Sequence, residues 1–158
     1  MAKDFNMKEA YNKLKHKLPD FNEIDDEFEI SFIDYKLEDD KFLLRSIRRK
    51  MNEKIIFYCR IIEGVLYPHQ ANIISMMEGN MFDEEEKKRV QELYKKLMFY
   101  ERDSLKLDVI ADEKKNVEFI NNIFGLWREH NKEMKWVVEK MQKGWMQEEK
   151  KEGGSYLG

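Results

Sequence analysis

Residues 40–66 read DKFLLRSIRRKMNEKIIFYCRIIEGVL, and within them Leu44, Ile47, Met51, Ile55, Tyr58, Ile62 and Val65 or Leu66 are separated only by threes and fours. That is the period of an α-helix with one apolar face, and Pro68 closes the run because a proline cannot continue the hydrogen-bond ladder. A second row, Leu43, Phe57 and Ile61, widens the face beyond a two-helix seam, so this segment is expected to be a central helix with neighbours around it.

Two other long segments read the same way. Asp83 followed by Glu86 forms a capping box with three acids in the first turn, and Val90, Leu93, Tyr94, Leu97 and Met98 carry a helix on to about Leu105. LKLDVIADE then connects to a last helix, with Asp112 as its cap. There Val117, Ile120, Phe124, Trp127, Asn131, Met134, Val138, Met141 and Trp145 alternate three and four. A sustained seven-residue repeat predicts left-handed supercoiling, as in a coiled coil, against a partner helix. The polar run Arg128 to Glu133 predicts either a solvent-exposed crossing or a break.

Shorter elements flank these three. Met7, Ala10, Tyr11, Leu14 and Leu18 predict a first helix over 6–18, ended by Pro19. Asp20 with Glu23 caps a second, lined by Phe21, Ile24 and Phe28, and EISFID reads as a helix-to-helix connection. Ala71, Ile73, Ile74 and Met77 predict a two-turn helix, which Gly79 and Asn80 would end in the left-handed conformation.

The fold class expected is therefore all-α, a single-domain helical bundle of three long helices plus short N-terminal and connecting helices. It would span residues 1–150, with 134–148 able to project as an interaction helix and 151–158 a disordered tail. Composition agrees, because 158 residues suffice for one core, and seven glycines and two prolines offer too little turn chemistry for a strand-rich fold.

Charge is segregated beneath a net −3: residues 20–40 carry ten acids and one base, and residues 41–60 seven bases and one acid. Such blocks commonly complement one another inside a fold. Cys59, alone in an apolar run, reads as a small buried hydrophobe in a reducing compartment. The amino-terminal residues lack the apolar core of a signal peptide, and no eighteen-residue apolar stretch occurs, so a cytoplasmic protein without a membrane span is expected.

The motifs of chemistry are missing. None of His16, His69 and His130 stands three or four residues after another metal-type ligand, the spacings H-E-x-x-H and E-x-x-H are absent, and there is no nucleophile elbow, phosphate-binding glycine loop or paired cysteine and histidine. We therefore expect no enzymatic activity, no metal and no cofactor.

Two binding surfaces remain. Lys41, Arg45, Arg48 and Arg49 form a basic stripe on the side of the central helix taken as exposed, able either to meet phosphates of a nucleic acid or to pair with the acidic block. Met134, Trp136, Met141 and Trp145 concentrate methionine and tryptophan, residue types enriched where proteins meet partners. Trp136 falls at an outward heptad position and needs cover, from its own short helices, from a protein partner or from a second copy. The reading that follows is a non-enzymatic helical interaction or scaffold protein.

One resemblance bears on the alternative. The helix carrying FLLRSIRRKMNEKI, a connection, and the helix opened by FDEEEKKRVQELYKKL make residues 40–105 resemble the helical region of archaeal GINS subunits, which scaffold the replication fork. The resemblance implies a non-catalytic, nucleic-acid-associated replisome scaffold. It would also imply a small β-domain, for which the helical C-terminal third offers no counterpart.

Overall fold

The computed structural model describes residues 6–33, 40–68 and 72–155, with residues 40, 41 and 148–155 described by their backbone alone. It is all-α, without a strand among the described residues. Six helices follow in order: α1 Met7–Asn12, α2 Phe21–Phe28, α3 Asp40–Leu66, α4 Ile73–Gly79, α5 Glu84–Val109 and α6 Glu113–Ser155. The long ones are α3, α5 and α6.

Local chemistry explains the boundaries. Asp20 accepts hydrogen bonds from the backbone of Asn22 and Glu23 at 2.9 and 3.3 Å, which starts α2. At α5 the box is reciprocal, since Glu86 N–H donates to Asp83 at 2.8 Å and Asp83 N–H donates to Glu86 at 2.9 Å. Asn72 caps α4 through Ser75 N–H, and Asp112 caps α6 through Lys115 N–H, both at 3.1 Å. Glu29, with φ 55°, reverses the chain after α2 into a 3₁₀ turn at Ile30–Phe32, the connection expected there.

Five details differ from the sequence reading, the first being that α5 runs to Val109, through the LKLDV half of the expected connection. Helix α1 stops at Asn12 rather than residue 18, and the chain beyond it is held instead by the Tyr11 hydroxyl, which donates to the Pro19 carbonyl at 2.7 Å. Phe57, placed in the apolar face of α3, is exposed. Gly79 does not adopt a left-handed conformation; a side chain there would bring its Cβ within 3.0 Å of the Val65 carbonyl oxygen, so close approach is what requires the glycine. Finally, α6 runs on to Ser155, including 151–155 of the expected tail, while 156–158 lie outside the described residues; of the two courses expected at Arg128 to Glu133 it takes the unbroken one. Extending an existing helix adds one bond per residue fixed and needs no new nucleus, which allows this passage through polar and glycine-containing sequence.

The chain divides into two compact units, residues 1–57 with 98–127 and residues 58–97 with 128–158, and α3, α5 and α6 each contribute to both. The core of unit 1 takes Phe21, Ile24, Phe28 and Ile30 from the N-terminal segment and Leu43, Leu44, Ile47, Met51 and Ile55 from α3. Leu107 of α5 and Phe119, Ile120, Ile123 and Trp127 of α6 complete it. Phe28 and Trp127 meet with ring centroids 4.8 Å apart. The core of unit 2 combines Cys59, Ile62 and Val65 with Phe82, Val90, Leu93 and Leu97, and with Met134 and Val137 of α6.

The buried side of α6 corrects the expected seam. Ile120, Trp127 and Met134 are buried as anticipated, but their companions are Asn116, Ile123, His130 and Val137 rather than Val117, Phe124, Asn131 and Val138. One column of the heptad is right and the other lies one residue earlier, leaving Val138 46 % exposed while Val137 is fully buried.

Candidate functional site

The four residues singled out near the C-terminus all belong to unit 2, and the protein's own side chains cover much of them. Met134 is buried in the core. Trp136 meets the edge of Phe82 at 5.9 Å, and the Arg89 guanidinium lies 3.9 Å from its ring centroid. Arg89 is itself fixed by a two-pronged ion pair, donating to both carboxylate oxygens of Glu133 at 2.8 and 2.7 Å. The hydrogen bonds from Arg89, and its charge, hold the Glu133 carboxyl below the usual carboxylate range. Trp145 is half-buried and its indole N–H donates to Glu78 of α4 at 2.9 Å. Met141 is half-buried. The outward tryptophan thus finds its cover within unit 2, because the turn before α5 and the first turns of α5 pass over that side of α6.

The basic stripe of unit 1 also changes character. Arg48 is wholly buried and serves as a hub: its Nε donates to Asn116 at 2.6 Å, and its Nη1 donates to the Ser104 carbonyl and hydroxyl at 2.7 and 2.6 Å. Its Nη2 pairs with Asp108. It is not available to a phosphate, and its internal partner lies on α5 rather than in the acidic block. Arg49 is exposed and shares Asp108 at 3.1 Å. Burial works to raise the Asp108 pKa, but hydrogen bonds from Arg48 and Arg49 carry it below its ordinary value. Arg45 lies over the Phe42 ring at 5.6 Å. The side chain of Lys41 lies outside the described residues, as does His69.

Arg48 had a signal in the sequence: it stands four residues after Leu44 and three before Met51, which is the core-facing row. Its charge hid the position.

No group of three or more His, Cys, Asp or Glu is placed to hold a metal among the described residues. No helix among them is long and apolar enough to cross a membrane. A polar cleft of about 350 Å³ lies beside α5 and α6 in unit 2, where the buried His130 shares the lining with Arg89, Lys96 and Lys132 and with Glu92 and Glu133. Burial, and secondarily Lys96, hold the His130 imidazole below its ordinary value.

A second cleft in unit 2, of about 360 Å³, is lined by Met77, Asn80 and Met81 at the end of α4 and by Lys140, Lys143, Gly144 and Gln147 of α6. Beside it α4 carries its apolar side chains outward. Ile73 is 73 % exposed, Ile74 51 % and Met76 46 %. The sequence reading missed these as surface residues, since a short apolar run reads most simply as buried. The available signal was that a two-turn helix with four large apolar residues among its first five cannot turn all of them to one side.

No protein-family model, curated protein or solved structure matches this chain.

Proposed function

We propose that the chain is a non-enzymatic helical interaction protein that presents a helix surface to a protein partner or to a second copy of itself. The observation that carries this reading is the uncovered apolar surface of α4, where Ile73, Ile74 and Met76 stand in solvent on one short helix beside an open cleft. Several large apolar side chains exposed on one short helix are disfavoured on a protein that meets nothing. It replaces the face of Trp136 as the proposed contact, since Arg89 and Phe82 already cover that ring.

The test is an affinity capture from lysate, with and without nuclease, alongside sedimentation of the purified chain. The double variant I73D/I74D alters exposed positions, where substitutions shift stability by only about 0.5 kcal/mol. It should keep the helical spectrum and lose the captured protein or the self-association. A wild-type chain that stays monomeric at high concentration and retains no protein would end the proposal.

A second reading, the nucleic-acid-associated scaffold of GINS type, draws on Arg45 and Arg49 at the surface and on Phe42 beneath Arg45. It requires an affinity for nucleic acid that falls steeply with salt and weakens in R45A/R49A. Absence of binding at low salt would remove it.

A further inference from the structure

Resting on the interaction reading above, we infer that the cleft at Met77, Met81 and Lys143 receives an acidic amphipathic helix of a protein partner, which seats an apolar side chain against the two methionines and a carboxylate on the lysine. The apolar wall is stepped: Met81 lies in the turn after α4, Met77 on the helix, and exposed Ile73, four residues before Met77, continues the wall one helical turn beyond the cleft. Anchors one turn apart are what a docking helix offers through its own i and i+4 positions. An apolar surface extending past the cleft exceeds what a small amphipathic anion would cover. Methionine suits the role because its unbranched thioether adapts to the shape of what it meets.

The other wall decides the charge of the occupant. Lys140, Lys143, Gly144 and Gln147 fall on one face of α6, and among the described residues the lining contains two cations and no acid. Lys140 is paired with Glu86, whereas among the described residues no carboxylate lies within ion-pair distance of Lys143. A basic segment is repelled by two lysines here, and an acidic one is attracted to Lys143.

Gly144 keeps the cleft open. A Cβ at that position would lie 2.2 Å from the Met81 sulfur, so Met81 rests directly on the backbone of α6. Alanine at 144 forces the thioether up into the space the partner's side chain would take, without altering charge and with a better helix former in the helix.

The experiment uses the full chain as bait for a display library of random sixteen-residue peptides. Winners are measured by fluorescence anisotropy against wild type, K143E and G144A, each first shown to melt as wild type does. The expected result is enrichment of peptides with Asp or Glu beside apolar residues at helical spacing, whose affinity drops at least tenfold in both variants. Winners of basic character, or indifferent to both substitutions, would overturn this inference while leaving the interaction reading in place. So would a self-association weakened by K143E, which makes a second copy the occupant, or binding to phosphatidylserine vesicles weakened by K143E, which makes it a lipid surface. No enriched peptide together with a solitary chain in lysate and in sedimentation would overturn both.

Discussion

The two compact units each admit one polar residue to the buried side of α6, and they handle it in opposite ways. In unit 1 Asn116 meets Arg48, a full charge taken out of water and surrounded by the Ser104 carbonyl and hydroxyl, Asn116 and Asp108. In unit 2 the corresponding residue is His130, which burial holds in its neutral form, while the charged pair of Arg89 and Glu133 stays at the surface. The difference shows the two ways a buried polar position can be tolerated: by supplying nearly every hydrogen bond a charge requires, or by keeping the group neutral. Unit 1 should accordingly depend on its polar network, and unit 2 on pH.

The sharpest way to break this comparison is Arg48→Met. It strands the buried side chains of Asn116 and Ser104 against an apolar chain, and a buried polar group left without its partner costs about 1–3 kcal/mol, while exposed Asp108 keeps its water and Arg49. Arg48→Lys should recover only part of that loss, because an ammonium cannot reproduce the guanidinium fork. Urea titration reads both. The same variant should flatten the acid limb of stability: Asp108 has a lowered pKa in the folded protein, so its contribution is present above the ordinary carboxylate value and fades as pH falls through the lower folded value. A loss below about 1 kcal/mol would show that unit 1 does not rely on the hub.

The second test concerns His130, and its sign follows from linkage. Unfolded, the imidazole takes a proton near pH 6.5; folded, it does so only at lower pH, because burial, with Lys96, opposes the charge more strongly than Glu129 and Glu133 favour it. Between those values the unfolded chain binds more protons, so stability is fully present above about pH 6.5 and declines as the solution is acidified toward the folded value. The denaturation midpoint should therefore fall between pH 7.5 and 5.5, and His130→Leu should remove that slope. Equal slopes in the two proteins would transfer the pH dependence elsewhere. The Glu133 carboxyl, lowered by Arg89, acts in a separate and more acidic window.

These two residues also mark where the sequence stopped being readable. The long helices, their caps and the all-α class follow from apolar spacing and side-chain oxygens, which act within a few residues of one another. The choice between adjacent columns of α6 does not. Val117, Phe124 and Val138 are more apolar than Asn116, His130 and their neighbours, and a single helix judged by hydropathy prefers them. What reverses the preference is Arg48, 68 residues away along the chain, which brings a hydrogen-bond partner to Asn116. Arg48 shows the same limit: in the sequence its charge reads as solvent-facing, and the partner that lets it be buried, Asp108, stands 60 residues away on α5. In the proposed contact, nothing in the sequence brings Lys143 to Met77 and Met81, because their juxtaposition depends on where α4 ends against α6.

The smallest expected effect concerns the surface half of the comparison. If unit 2 keeps its charges outside, the cluster of Arg89, Trp136 and Glu133 should be worth little compared with the hub of unit 1, although its geometry is good: the guanidinium is stacked 3.9 Å from the indole centroid and forked onto the carboxylate. Arg89 is about half exposed, so solvent screens its ion pair, and a cation–π contact made by so exposed a cation contributes about 0.5–1 kcal/mol. A double-mutant cycle of Arg89→Ala and Trp136→Leu, followed by urea titration, should return a coupling in that range. The coupling should diminish only slightly in Glu133→Gln, where the fork is weakened and the stack remains. Coupling as large as the loss in Arg48→Met would mean that unit 2 also depends on a desolvated charge, and the contrast between the units would fail.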